Sequence, residues 1–194
     1  EPSTRTRFSF EAAMMKLGGQ VISTENAAQF SSAAKGETLE DSIKVVSHYV
    51  DVIVLRHPED DSAQRAASVS SVPLINAGSG KKEHPTQGLL DIYTIRKELG
   101  TTEGLHFALM GDLKHSRTIH EQIQLISLYK RNRITLVSPR SLSLPQEYKD
   151  ILKKNKVAFG ETEKLSDVIS DIDVLSVNRV QRERLPKEIS YEKI

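Results

Sequence analysis

The 194-residue chain contains no cysteine. Disulfides, thiolate metal sites and a cysteine nucleophile are thereby excluded. It has no apolar run approaching the roughly 18 residues that a membrane-spanning helix needs, so a membrane partner is not expected. An excess of either charge is missing as well: 27 Lys+Arg stand against 26 Asp+Glu, a net charge of +1. That balance argues against a general nucleic-acid binder, which needs a basic face. Repeats and low-complexity tracts are absent too. What remains, 38% hydrophobic and 27% charged residues, is the composition of a folded globular chain rather than a disordered one. The length suits one large domain or two small ones. The chain opens at Glu1-Pro2, with no Met, directly into a motif-rich segment, as expected of a trimmed or internal piece of a longer protein.

Helix-like and strand-like segments alternate along the chain. Thr6 to Leu17 carries apolar residues at helical spacing, and Gly18-Gly19 reads as its stop. Thr38 with Asp41 resembles a capping box that opens a helix to about Tyr49. Val52–Leu55 reads as a buried parallel strand, Ser62–Val69 as a helix and Val72–Asn76 as the next strand. Pro85 is placed to start a helix that Gly100 ends. Strands are then predicted at His106–Met110, Ile134–Val137, Val157–Phe159 and Val174–Val177, and helices at Arg117–Tyr129, Gln146–Asn155 and Leu165–Ser170. This βαβα order predicts an α/β fold of two lobes, each a parallel sheet flanked by helices. The Gly100-Thr101-Thr102-Glu103-Gly104 turn marks the boundary between residues 1–100 and 101–194. In such sheets ligands bind beyond the carboxyl ends of the strands. Arg56, Arg117 and Arg179 fall at or just after strand ends, so an anion-binding cleft between the lobes is expected.

Four stretches carry candidate chemistry. Ser3-Thr4-Arg5-Thr6-Arg7 precedes the first helix. A helix N-terminus with hydroxyls and a guanidinium suits a phosphate; a plain N-cap with surface arginines is the other reading. In His84-Pro85-Thr86-Gln87, proline at the first helical position would hold His84 and Gln87 at a helix start. A neutral imidazole there can bond a carbonyl oxygen, and Gln87 offers a donor and an acceptor. Gly111-Asp112-Leu113-Lys114, followed by Arg117-Thr118 and His120, sits where a dinucleotide-binding turn would, but G-x-G-x-x-G is absent. Asn178-Arg179-Val180-Gln181-Arg182-Glu183-Arg184 reads either as a solvated charge run or, for Arg179 directly after an apolar strand, as a cleft residue. The histidines show no metal-ligand spacing, and His48 and His106 read as structural.

Together with Lys35-Gly36-Glu37-Thr38, Arg56-His57-Pro58 and Asn76-Ala77-Gly78, these stretches resemble the aspartate carbamoyltransferases, within the aspartate/ornithine carbamoyltransferase superfamily. The resemblance covers essentially the whole sequence. Gly-Asp-Leu-Lys followed by Arg-Thr, and Arg-Val-Gln-Arg-Glu-Arg, look like the aspartate type; the Ser-Met-Gly motif of the ornithine type is absent. The resemblance implies carbamoyl transfer from carbamoyl phosphate to L-aspartate in pyrimidine synthesis, with residues 1–100 binding carbamoyl phosphate and 101–194 forming an incomplete L-aspartate domain. It implies that Ser3, Thr4, Arg5, Thr6 and Arg56 bind the phosphate, that Thr6, Arg56 and His84 donate to the carbamoyl oxygen, and that Gln87 holds the carbamoyl NH2. Arg117 and Arg179 would grip the aspartate carboxylates, supported by Gln181. Ser31 and Lys35 would reach a neighbouring subunit's site, with Lys35 binding L-aspartate there, so a homotrimer is implied, and a regulatory chain is left open. No metal or organic cofactor is called for, and a cytoplasmic location is expected.

The chain departs from the family's usual residues in places. Glu121 and Gln122 stand where the family reads Ser-Leu, Asn178 where it reads Thr, and Ser176 where it reads Tyr. Family chains begin well before Glu1 and continue past Ile194, so the termini look truncated, and the piece alone is expected to turn over little substrate. Two other readings stand beside the aspartate type: a carbamoyltransferase with another amine acceptor, and an inactive relative that only binds anions or partners.

Overall fold

A computed structural model describes residues 3–25, 35–80 and 84–179. The chain divides into two compact units, Glu1–Thr86 and Gln87–Ile194. Among the described residues no helix is long and apolar enough to cross a membrane.

The first unit opens with α1 (Thr4–Lys16). The helix stops as expected: Gly19 N–H donates to Met14 O and Gly18 N–H to Met15 O, the paired bonds of a Schellman motif. Val21 and Ile22 follow in irregular backbone, Ile22 78% exposed. Helix α2 (Leu39–Val46) begins at Thr38, whose hydroxyl accepts from Asp41 N–H at 3.1 Å. The predicted run to Tyr49 ends early, because His48 and Tyr49 N–H groups bond three residues back and tighten the last turn. Strand β1 (Ile53–His57), helix α3 (Ser62–Val69) and strand β2 (Leu74–Ser79) form one βαβ crossover with parallel strands. Strand β2 starts later than predicted because Pro73 precedes it, its carbonyl accepting from Ile53 N–H.

Ile43 of α2, Ile53 of β1 and Ala66 of α3 form the core of this unit, with Leu55 and Leu74 packed on it. Val52–Leu55, expected to be buried throughout, is buried only at Ile53. Side chains alternate across a strand, so Val54 lies on the opposite face and is 40% exposed.

The second unit contains most of α4 (Pro85–Leu99), whose end is marked by Gly100. The Gly100–Gly104 turn follows it. Strands β3 (His106–Met110), β4 (Arg133–Val137), β5 (Ala158–Thr162) and β6 (Val174–Val177) make a wholly parallel sheet in the order β5-β4-β3-β6. The central β3 is buried along nearly its whole length, as a strand covered on both faces must be. Helices α5 (Arg117–Ile126) and α6 (Gln146–Lys154) supply Ile119, Ile123, Ile126 and Leu152 to a core around Phe107, Leu109, Ile134 and Leu136.

In the second unit three boundaries differ from expectation by more than one residue. Helix α5 ends at Ile126, not Tyr129, because Leu128 and Tyr129 N–H groups bond only three residues back. Strand β5 runs to Thr162, well past Phe159, because it pairs register for register with β4; as an edge strand its Gly-Glu-Thr end carries no apolar signal. Leu165–Asp167 is one 3₁₀ turn rather than a helix to Ser170, with Asp167 accepting from Thr162 Oγ1 at 2.6 Å. His106 is buried, its Nδ1 bonded to Asp171 O at 2.7 Å and its Nε2 to Thr135 Oγ1 at 2.8 Å.

Candidate active site

In the first unit, Arg56 is the centre of a polar cluster. Its strand is out of step with its partner here: Leu55 pairs with Asn76 but His57 with Ser79, so two β2 residues, Ala77 and Gly78, face the single Arg56. Such a bulge bends the strand and re-aims a side chain. Arg56 Nη1–H reaches Ala77 O at 3.3 Å, His84 Nε2 at 3.1 Å and Thr6 Oγ1 at 3.5 Å. The bulge is itself held by Asn76, whose Oδ1 accepts from Gly78 N–H at 2.9 Å and from the Ser79 hydroxyl at 3.1 Å. Gly78 has φ +127°, and a Cβ there would lie 3.2 Å from Arg56 Nη1. A side chain at this position is strained and pressed against the guanidinium.

A guanidinium only donates, so His84 Nε2 accepts from it. The ring is then neutral with its proton on Nδ1, which lies 3.5 Å from Thr86 Oγ1. Ser3 occupies the N-cap of α1 but makes no side-chain capping bond. Its hydroxyl donates instead to Thr6 Oγ1 at 2.9 Å. Ser3 therefore does not cap α1 with its side chain, and Ser3, Thr6, Arg56 and His84 form one connected group. Thr4 and Arg5 lie in the exposed first turn of α1. Arg7 faces elsewhere: its Nε lies 3.4 Å from Glu25 Oε1 and 3.7 Å from Glu11 Oε1, and its guanidinium covers the Phe8 ring. Lys35 is exposed; Ser31 and Gln181 lie outside the described residues.

In the second unit, two of the expected anion ligands follow adjacent parallel strands. Arg117 is half-buried and opens α5, whose N-cap Ser116 accepts from Ile119 N–H at 3.3 Å. Arg179 is exposed and comes two residues after β6. The β3–β6 pair runs in register to Met110 and Val177, so both arginines belong to the carboxyl edge of one sheet, where α/β proteins bind ligands. Gly111, with φ +114°, ends β3; an added Cβ would collide with the Asn178 carbonyl oxygen. Asn178 N–H in turn donates to Met110 O at 2.8 Å. Backbone against backbone thus fixes where both loops leave the sheet.

Two further features went unread in the sequence. Asp91 accepts from Gln87 Nε2 at 3.0 Å and from Gln122 Nε2 at 2.6 Å; its i+4 spacing from Gln87 on α4 was the available signal. His120 stacks on Tyr148 with ring centroids 3.9 Å apart, and its Nε2–H donates to Leu113 O at 2.9 Å. Burial holds its imidazole below the ordinary value, so it is a packed, neutral ring.

A parallel βαβ unit with a bulge-aimed Arg-His-Thr cluster, and a second parallel sheet with arginines at its carboxyl edge, are arrangements suited to anionic ligands. The model of the aspartate/ornithine carbamoyltransferase carbamoyl-P binding domain matches residues 1–97, and the chain belongs to this family. The aspartate carbamoyltransferase catalytic subunit of Archaeoglobus fulgidus is 54% identical over 194 residues, covering all of this chain and 63% of that one. The catalytic subunit of Methanocaldococcus jannaschii aspartate transcarbamoylase superposes with a TM-score of 0.94 at 49% identity, over 100% of this chain and 63% of its own. The Trypanosoma cruzi aspartate transcarbamoylase in complex with carbamoyl phosphate and aspartate matches with a TM-score of 0.83 at 41% identity, over 93% of this chain and 61% of its own. The chain spans a little under two thirds of the length of these relatives.

Proposed function

We propose that the chain is the greater part of an aspartate carbamoyltransferase catalytic chain, transferring the carbamoyl group of carbamoyl phosphate to L-aspartate at the committed step of pyrimidine synthesis. The observation that carries this reading is the Thr6–Arg56–His84 group, built on a strand bulge within the matched carbamoyl-phosphate domain. Residues 1–100 serve carbamoyl phosphate and 101–194 serve L-aspartate. Ser3, Thr4, Arg5 and Thr6 hold the phosphate, with Arg56 beside it.

The aspartate amine attacks the carbamoyl carbon, the C–O bond to phosphate breaks, and the departing phosphate accepts the amine proton. Charge develops on the carbamoyl oxygen meanwhile. Donors aimed at that oxygen stabilise the tetrahedral state, and Thr6, Arg56 and His84 are those donors. In the free chain the Arg56 N–H is given to His84 Nε2. An entering carbonyl oxygen takes over that N–H, and the neutral ring, in the tautomer with its one proton on Nε2 instead of Nδ1, donates in turn. Gln87 accepts from the carbamoyl NH2, and Arg117, Arg179 and Gln181 bind the aspartate carboxylates. The nucleophile belongs to the substrate, so positioning supplies much of the rate. Homotrimer formation, with Ser31 and Lys35 completing a neighbour's site, and a cytoplasmic location belong to the same reading.

The test is product formation by the enzyme that carries this chain. N-carbamoyl-L-aspartate should appear, and ornithine offered as acceptor should give no carbamoylated product. Arg5→Ala should lower activity about 10²–10³-fold with an unchanged circular dichroism spectrum. Full activity in that variant removes the phosphate assignment, and sedimentation as a monomer removes the trimer.

A further inference from the structure

The α5 face that packs into the core is isoleucine at 119, 123 and 126, but at 122 it is glutamine, only 7% exposed. An amide buried among isoleucines is costly unless both of its ends are bonded. Here both are. Gln122 Nε2 donates to Asp91 Oδ2 at 2.6 Å, and its Oε1 accepts from the Ser176 hydroxyl at 2.9 Å. The second oxygen of Asp91 accepts from Gln87 Nε2 at 3.0 Å. A continuous run of hydrogen bonds therefore joins Ser176 on β6, Gln122 on α5, Asp91 on α4 and Gln87 one turn earlier on α4. Gln122 and Ser176, two of the departures from the family's usual residues, are partners of each other.

The direction of this run is fixed by its carboxylate. An ionised carboxylate accepts and cannot donate, so each amide that touches Asp91 must turn its nitrogen towards it. Gln122 is left with its oxygen to Ser176. Gln87 is left with its oxygen pointing away from Asp91, free to accept. An amide flip at Gln87 would set two acceptors, its oxygen and the carboxylate, against each other.

We propose that Asp91, clamped by Gln122 and Ser176, is a positioning residue that presents the Gln87 carboxamide oxygen to the NH2 of the carbamoyl group. This rests on the reading of Gln87 given under the proposed function. The bond it prepares exists in the bound substrate as well as in the transition state, so its loss raises KM for carbamoyl phosphate more than it lowers kcat.

The experiment compares Asp91→Ala, Asp91→Asn, Gln122→Leu and Ser176→Ala in the intact enzyme. Asp91→Ala and Gln122→Leu should raise KM for carbamoyl phosphate about tenfold, with KM for L-aspartate unchanged; Ser176→Ala should move it about threefold the same way. Asp91→Asn should stay near wild type. Its Oδ1 still accepts from Gln87, while its NH2 donates to a flipped Gln122 whose nitrogen then donates to Ser176. Unchanged carbamoyl phosphate KM in Gln122→Leu, an equal rise for both substrates, or Asp91→Asn behaving like Asp91→Ala overturns the proposal. If Asp91→Ala does not fold, Gln122→Leu and Ser176→Ala decide. If the wild-type enzyme makes no carbamoyl-aspartate, the proposed reaction fails, and the clamp is read instead from exchange of the Gln87 side-chain amide protons by NMR. Slow exchange in wild type and faster exchange in Gln122→Leu supports it; equal exchange overturns it.

Discussion

Among the described residues, the second unit buries thirteen hydrophobic side chains in one cluster around four strands, whereas the first buries Ile43, Ile53 and Ala66 beneath two. The units also hold their polar side chains in different ways. In the first, Arg56 is placed by backbone devices: a bulge, a side-chain-capped turn at Asn76 and a left-handed glycine. In the second, Gln122 is locked by the surrounding core and by hydrogen bonds at both ends. Where the core is thin, orientation comes from the main chain; where it is thick, a buried amide can do the same work.

That contrast can be broken in several places. The largest effect belongs to Phe107→Ala, at 1% exposure, which should cost about 3–5 kcal/mol in urea unfolding followed by near-ultraviolet circular dichroism. Ile43→Ala should cost about 2 kcal/mol, because its partly exposed neighbours can collapse onto the gap. Equal losses would mean that the first unit is packed as well as the second. Next comes Arg56→Ala, expected to reduce carbamoyl-aspartate formation by about 10²–10³-fold while the thermal midpoint hardly moves. A large drop in that midpoint would make the cluster a structural element rather than a binding one.

Gly78→Ala follows, with backbone strain of about 1–2 kcal/mol and a displaced guanidinium. Its signature is activity lost out of proportion to stability, read from paired assays and melts. A smaller effect is tied to pH. The native imidazole of His120 is held below its ordinary value of 6.5 by burial, so the unfolded chain takes up that proton first. Stability should fall as pH drops through 6.5 and level off below the native value, and His120→Phe should flatten that slope in melts across the same range. The smallest effect is at the surface. Glu40 is pulled down to about 2 by Arg65, which donates to both of its carboxylate oxygens. Its contribution is present above about 4.5 and is lost as pH falls towards 2. Arg65→Ala should remove that acid dependence by lowering the neutral-pH melt slightly, while the melt near pH 2 stays where it was.

How far the sequence foretold these features depended on the kind of signal involved. Central strands such as His106–Met110 were legible because a strand buried on both faces is apolar along nearly its whole length. Helix starts at Pro85 and Thr38 were legible because capping chemistry is local. The bulge at Arg56 was not, since register is a relation between two strands far apart in the chain, and neither carries its trace alone. The edge strand β5 escaped for the opposite reason: pairing on one side needs no hydrophobic pattern. Among the candidate site residues, Thr6, Arg56 and His84 were named from their motifs and are found bonded together. Asp91 was passed over, because an acidic residue on a helix ordinarily marks a solvated face, and only the fold reveals the two amides that meet it.

Gly111 has one more implication. Because its neighbour across the sheet is the backbone of Asn178 and not a side chain, no compensating replacement elsewhere can make room for a larger residue there. Two segments of chain, the one leading to Arg117 and the one leading past Arg179, are thereby moored to a common point. Any redesign of either loop must therefore leave the glycine in place.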